Sequence, residues 1–330
     1  MIYDCFTFFN ELDLLEIRLN TLAPVVDKFV IAEATRTHSG NPKELLFEKN
    51  RERYAAFADK IIYIVVDDLL SEEEIAKDTF NLPWVNENRQ RNALIRGLSA
   101  ATDDDVIMVS DLDEIPRPEK IEEAVVLARE GEVVRFLLDV YIYFVNFRDY
   151  RTPCWSLGTQ MLSLATYRHG PFFDDWTYDR FTVRSENAGR TIHKVRFLKP
   201  TRCVRHGGWH MTYLGGVDAV RTKLQSFSHQ EAACLLGSVE ERLKAGKSIF
   251  GGARDGFGVR LDETFPGYLV SNSQRFAHLI FHVTDGYLKR TRFPRRMAYA
   301  RGVCYRFCAR LVPGFLVGPL SKAMIRIRMR

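Results

Sequence analysis

The segment Val106-Ile107-Met108-Val109-Ser110-Asp111-Leu112-Asp113-Glu114-Ile115-Pro116 constrains this chain more than any other. An apolar run of strand length stops abruptly at three carboxylates within four residues, the pattern of a buried strand whose end meets an open edge. Side chains two apart on a strand share a face, so Asp111 and Asp113 point together while Leu112 packs on the other side. Carboxylates at that density call for a cation, and oxygen donors suit a divalent metal. The bland alternative is a solvated acidic turn capping the helix expected after Pro116.

The first 115 residues alternate strand and helix patterns around that segment. Short runs rich in β-branched and aromatic residues predict strands over 2–8, 28–33, 61–66 and 106–110. Asn10-Glu11-Leu12-Asp13 predicts a helix start, with Leu12, Leu15, Leu19 and Leu22 at helical spacing. Further helices are expected over about 43–58 and 86–100. This order implies an α/β fold with parallel strands joined by right-handed crossovers, and ligands of such sheets bind at the strands' carboxyl ends. Glu33, Asp67, Asp68 and residues 111–114 fall at those ends. Beyond residue 133 the pattern turns aromatic, with strands of a mixed sheet expected over 133–138, 140–147 and from Phe197 onward.

A chain of 330 residues, 46% hydrophobic, without repeats or a Gly, Ser or Pro linker, reads as one catalytic domain over 1–285 and an extension over 286–330. The start lacks the pattern of a signal peptide, and no stretch has the apolar length of a membrane span, so the expected location is cytoplasmic. Six scattered cysteines without a Cys-x-x-Cys pair point to reduced thiols. From Gly286 to Arg330 there are twelve Lys or Arg and no acidic residue. Within this tail Met297, Ala300, Val303, Cys304, Phe307, Cys308 and Leu311 share one helical face, Arg295, Arg306 and Arg310 lie opposite, and Arg296 and Arg301 lie at its margins. That profile predicts a helix lying on an anionic membrane surface, on the inner face of the cell membrane, through residues 291–330. A helix docked on the main domain is the alternative. Nucleic acid is not an expected partner, because no aromatic residues are interleaved as a stacking platform.

Four further clusters carry candidate chemistry. In Asn88-Arg89-Gln90-Arg91-Asn92, Arg91 is placed to reach a phosphate or brace Asp111. In Arg205-His206-Gly207-Gly208-Trp209-His210, paired glycines predict a tight turn that delivers an imidazole, with Trp209 as a flat face for a sugar. Lys223, Ser226, His229 and Glu231 form a third group, in which Glu231 is a candidate general base; Asp174 and Asp175, with Asp179, compete for that role.

Together the segments 3–19, 26–33, Asp111-Leu112-Asp113-Glu114-Ile115-Pro116 and Gly208-Trp209-His210 resemble glycosyltransferase family 17, over roughly residues 2–270. The resemblance implies a GT-A type, Rossmann-like fold with a nucleotide-sugar-binding half over 1–116 and an acceptor half over 117–285. It also implies a UDP-sugar donor, most often UDP-GlcNAc, a manganese or magnesium ion, and inversion at the anomeric carbon. Asp111, Asp113 and His210 are then the expected metal ligands, with Glu33 near the nucleoside. The expected acceptor is a saccharide or lipid-linked saccharide of a surface polysaccharide or other glycoconjugate. Two other classes compete: a protein that binds a nucleotide sugar or glycan without turnover, and an aspartyl-nucleophile phosphatase. The latter usually has Thr or Val two residues after its second Asp, where this chain has Ile115.

Overall fold

The computed structural model describes residues 1–76, 82–152, 154–173, 186, 188–226, 236–249 and 255–311. Strands β1 (Ile2–Phe8), β2 (Lys28–Ala34), β3 (Ile61–Val66) and β4 (Val106–Asp111) run parallel in the order β3-β2-β1-β4. The chain lays β2 and β3 on one side of β1 and returns to place β4 on the other. That reversal opens a crevice at the carboxyl ends of β1 and β4.

β1, β2 and β4 are buried on both faces, because alternate side chains enter two different cores, while β3 at the edge is only partly buried. Phe6, Phe8, Val106 and Met108 join Leu15 and Leu19 of α1 (Leu12–Leu22) in one core. Cys5, Ile107 and Val109 face a second core with Leu94 and Leu98.

Two connections differ from the helices expected. Over 43–58 only α2 (Leu46–Lys49) is α-helical, and Arg51–Lys60 is a 3-10 segment broken at Tyr54. Tertiary contacts hold that break: the Tyr54 ring stacks on Phe47 at 5.6 Å and its hydroxyl donates to the Leu12 carbonyl at 2.9 Å. After the short α3 (Glu72–Ala76), α4 (Leu82–Asn92) tightens into a 3-10 stretch over Ala93–Leu98. Gly97 lets this stretch press onto β2, since a Cβ there would sit 2.4 Å from Val30 Cγ1.

The second half adds β5 (Glu114–Pro116), α5 (Pro118–Arg129), β6 (Val134–Ile142), β7 (Phe147–Asp149), β8 (Gln160–Ser163), α6 (Leu164–His169), α7 (Ile192–Val195) and β9 (Arg202–Thr212). Then come α8 (Gly216–Ser226), α9 (Val239–Ala245), β10 (Gly256–Gly258), α10 (Gly267–Ser271) and α11 (Asp285–Leu311). β8 pairs antiparallel with β4, and the sheet continues β8-β6-β7-β10. β9 bridges β6 and β5. The strands expected over 133–138 and 140–147 are mostly one strand, β6, followed by the short β7. Among the described residues the result is one mixed, ten-stranded α/β sheet.

No helix among the described residues is long and apolar enough to cross a membrane. α11 docks on the main domain through Thr291, Ala298 and Gly302. A Cβ on Gly302 would lie 2.5 Å from the Tyr150 carbonyl, and Arg301 pairs with Asp255 at 2.6 Å. The predicted apolar face nonetheless points outward at Met297, Ala300, Val303 and Cys304, with Phe293 beside it at 72% exposure. The side chains of Phe307, Cys308 and Leu311 lie outside the described residues.

Candidate active site

The acidic turn after β4 is held from behind by one buried arginine. Arg18, on α1, donates from Nη1 to the carbonyls of Asp111, Leu112 and Glu114 at 3.0, 3.1 and 2.8 Å. Its other edge makes a bidentate pair with Asp4 of β1, at 2.8 and 2.6 Å, and bonds Ser110 Oγ at 2.7 Å. A guanidinium with no exposed surface is tolerable only because nearly all its donors are used. The result is a rigid turn that presents Asp111 and Asp113 at the crevice.

Fixed cations meet each carboxylate. Arg91 of α4 reaches Asp111 Oδ1 at 2.7 Å, and Arg196 reaches Oδ2 at 3.1 Å. Arg196 is itself anchored on Glu114, at 2.6 and 3.0 Å, so the third carboxylate of the motif is buried and structural. Lys223 of α8 bonds Asp113 Oδ2 at 2.9 Å and lies 3.9 Å from Glu11. Burial raises the affinity of both aspartates for a proton, yet the cations win: Arg196 and Arg91 hold Asp111 below the usual carboxylate range, and Lys223 with His210 holds Asp113 well below it. Burial likewise disfavours the Lys223 ammonium, but Asp113 and Glu11 more than offset it and keep Lys223 charged. Both aspartates are therefore anionic at neutral pH.

His210 and Trp209 sit next to each other on β9 and so face opposite ways. His210 points into the crevice, its Nε2 3.6 Å from Asp113 Oδ1. Trp209 points into the core, 2% exposed, with Arg117 over its ring at 4.2 Å and its Nε1 donating to the Thr264 carbonyl. Trp209 therefore cannot serve as the sugar platform. The aromatic wall of the cleft is Trp155, whose ring lies 4.7 Å from that of His210 and whose Nε1 donates to Glu114 Oε1 at 2.6 Å. The paired glycines do not make a tight turn either. They belong to β9 at an irregularity opposite residues 136–138, where His206 has φ of 49°. Gly208 is required there because a Cβ would meet the Ile115 carbonyl at 2.1 Å.

The crevice is a cleft of about 300 Å³. One part is built from Phe9, Arg36, Thr37, His38 and Lys43, beside the ends of β1 and β2; another from Val140, Ile142, Asp149, Thr152 and Tyr213. Burial pushes the His38 imidazole down, keeping it neutral, and its Nε2 lies 2.7 Å from Gln90 Oε1. Glu33, expected near a nucleoside, is fully buried and does not line the cleft. It accepts from the amides of Leu46 and Phe47, from Lys43 Nζ and from the Tyr63 hydroxyl, and so caps α2 from a neighbouring strand. Asp174, Asp175, Asp179, His229 and Glu231 lie outside the described residues. Arg196, Lys223, Trp155 and Asp149 were not singled out as such from the sequence, apart from Lys223 as a member of its cluster; only the fold brings them to the motif.

The three-ligand set expected of Asp111, Asp113 and His210 is not assembled. Among the described residues no three His, Cys, Asp or Glu side chains group to hold a metal. Arg91 and Arg196 each bond one oxygen of Asp111. Asp113 and His210 do fit a smaller role. Their 3.6 Å separation is too long for a hydrogen bond, and a hard divalent cation is often held by one or two protein ligands, with phosphates and water completing its shell.

Among solved structures, the chain is similar to S. aureus TarS 1-349, at 9% identity over 73% of this chain and 70% of that chain, with a TM-score of 0.35. Glucosyl-3-phosphoglycerate synthase from Mycobacterium tuberculosis, in complex with Mn2+, UDP-Glc and phosphoglyceric acid, aligns at 13% identity over 82% and 90%, TM-score 0.33. Mannose-6-phosphate isomerase from Helicobacter pylori aligns at 15% identity over 52% and 75%, TM-score 0.31. Likeness at this level carries no functional argument. In sequence, the chain is 29% identical over 113 residues to the β-1,4-mannosyl-glycoprotein 4-β-N-acetylglucosaminyltransferases of Homo sapiens and Rattus norvegicus. That match covers 32% of this chain and 20% of each relative, so the chain spans about a fifth of their length. The profile of glycosyltransferase family 17 matches residues 1–180, which take in Asp4, Arg18, Arg91, Asp111, Asp113 and Asp149 but not Arg196, His210 or Lys223. With more than half of its length matched, the chain belongs to glycosyltransferase family 17.

Proposed function

We propose that this glycosyltransferase moves N-acetylglucosamine from UDP-GlcNAc, with inversion, to a hydroxyl of a glycan or lipid-linked saccharide used in a surface polysaccharide or glycoconjugate. The observation that carries the donor class is the charge arrangement at the switch point. Asp111 and Asp113 are fixed at the carboxyl end of β4, ringed by Arg91, Arg196 and Lys223, in a cleft that also holds Trp155 and His210. Such a site suits a diphosphate leaving group, whose growing charge it stabilises without having to reorganise. The sugar is inferred from the name of the distant relatives.

Asp113 and His210 would hold a manganese or magnesium ion, which when bound supplies Lewis-acid stabilisation of the departing diphosphate. The chain's own groups do the rest. Arg91 and Arg196 fix Asp111, Lys223 supplies a positive charge beside Asp113, and Trp155 offers a ring face to the sugar. α11 adds a membrane reading: its outward face combines Phe293, Met297 and Val303 with Arg292 and Arg296, which suits an anionic bilayer holding a lipid-linked acceptor.

The test is UDP release from a panel of UDP-sugars, with manganese or with EDTA, beside an Asp113→Ala variant. Metal-dependent release from UDP-GlcNAc that the variant loses is the expected result. No release from and no calorimetric binding of any UDP-sugar would reject the donor assignment, and binding without turnover would favour a non-catalytic role.

A further inference from the structure

We infer that Asp149 is the base that takes the proton from the attacking hydroxyl, an assignment that rests on the glycosyl-transfer reading above. Transfer with inversion needs one such group in the acceptor part of the cleft. The acceptor oxygen forms a bond to the anomeric carbon while the bond from that carbon to the diphosphate oxygen breaks. The electron pair leaves on the diphosphate, and the hydroxyl proton passes to a carboxylate.

The carboxylates lining the cleft are not equivalent. Glu11 lies 3.9 Å from Lys223, Glu87 pairs with Arg91 at 3.0 Å, Asp111 faces two arginines, and Asp113 faces Lys223. A carboxylate tied to a fixed cation is a weak proton acceptor. Asp149, at the end of β7, makes no ion pair among the described residues. Its Oδ1 accepts the Arg151 amide at 2.9 Å, the Thr152 hydroxyl also bonds the carboxylate, and only 3% of the residue is exposed. It shares the cleft wall with Thr152, Ser226 and Ser248, small polar side chains suited to a hydroxylated acceptor, and with Trp155.

The surroundings of Asp149 support the role. Burial and the nearby Asp255 hold its carboxyl above the usual range, while the Arg151 amide and charge and the Thr152 hydroxyl restrain the rise. The other groups facing this corner are Tyr143, which follows β6, and Arg301 of α11, whose guanidinium is committed to Asp255. Arg148 is turned away onto Asp139 at 2.7 Å. A base whose affinity for protons is raised towards neutrality takes a proton more readily than the depressed Asp111 and Asp113.

The experiment uses the full chain, its Asp149→Asn variant and its Asp255→Asn variant. Measured are calorimetric binding of UDP-GlcNAc and UDP release from it across pH 5–9, with water and with methyl mannoside as acceptors. Asn keeps the oxygen that accepts the Arg151 amide, so Asp149→Asn should bind donor within about twofold of the unsubstituted protein. Its UDP release should fall about 100-fold or more, the scale of a lost general base, and its rate should no longer drop on the acid side. Asp255→Asn should keep the plateau rate and shift that acid limb to lower pH. Release by Asp149→Asn within about threefold of the parent, well short of a general base's contribution, would overturn the assignment, as would an unchanged acid limb or a donor affinity that falls in step with the rate. A parent protein that binds no UDP-sugar, or binds without turnover, would overturn the transfer reading itself.

Discussion

Replacing Arg18 by methionine tests the claim that one buried side chain holds the acidic turn in shape. The substitution keeps length and apolar bulk but removes the guanidinium. Asp4, with no exposed surface, loses its bidentate partner, and the carbonyls of Asp111, Leu112 and Glu114 lose their shared donor. Breaking a buried ion pair from one side costs about 3–5 kcal/mol, and each orphaned buried acceptor adds about 1–3 kcal/mol. These effects share one side chain and do not sum, so at least about 4 kcal/mol is expected, a large share of the roughly 5–15 kcal/mol that a folded domain has. At about 2–4 °C per kcal/mol, the melting temperature should drop by about 8 °C or more. Urea unfolding followed by tryptophan fluorescence gives the free energy directly. An Asp4→Asn/Arg18→Met double variant should be less destabilised than the two single losses added together, because no unpaired charge remains buried. A loss under about 1 kcal/mol for Arg18→Met, far below the cost of breaking a buried pair, would refute the reasoning, as would strict additivity of the two substitutions.

Opposite pH signatures follow from opposite environments. Asp149 is raised in the folded state, so its charge costs stability at neutral pH. Asp149→Asn should therefore melt higher than the parent at neutral pH, with the gap closing below about pH 4, where the unfolded carboxyl is also protonated. Burial raises Asp13, but its bonds to Arg53 and His278 outweigh that and depress it, so its contribution is present above about pH 4 and lost as pH falls; Asp13→Asn should melt lower than the parent at neutral pH and converge with it in acid. Gly208→Ala should lower the melting temperature and weaken donor binding together, since its Cβ would meet the Ile115 carbonyl at 2.1 Å and push β9, with His210, off β5. Phe293→Ser with Met297→Ser should abolish co-sedimentation with phosphatidylserine vesicles while UDP release is unchanged; equal sedimentation of both forms would reject the membrane reading.

Much of the parallel half was legible because local and global signals agree there. All four strands and the helix carrying Leu15 and Leu19 appear where periodicity places them. The second and third connections were less legible, because periodicity does not distinguish an α-helix from 3-10 turns held by a distant contact. Tyr54 is bent by its bond to Leu12, and residues 93–98 are tightened by the contact of Gly97 with Val30. The later strands were blurred for another reason: β6 is buried without a break from Leu138 to Ile142, so its second half shows no alternation to mark its end.

The same contrast runs through the site. Asp111 and Asp113 were legible because three carboxylates cluster where an apolar strand ends, although it is the turn held by Arg18 that presents Asp113, and Arg91 because it lies on the helix that precedes that strand. Trp209 was misread because motif proximity says nothing about facing: the imidazole and the indole are adjacent on a strand, so if one enters the cleft the other must leave it. Applied to Gly208-Trp209-His210, that rule alone would have forced a choice between the two. No rule of spacing finds Arg196, Lys223 or Asp149, because each comes to the motif from a different element across a long stretch of chain. Their common feature is electrostatic. A buried Asp113 beside a half-buried Asp111 stays ionised only where cations from other elements answer the pair, so finding the carboxylates in sequence already implies partners such as Arg196 and Lys223. It equally implies that a carboxylate left without such a partner, as Asp149 is among the described residues, will hold a proton more readily than its neighbours.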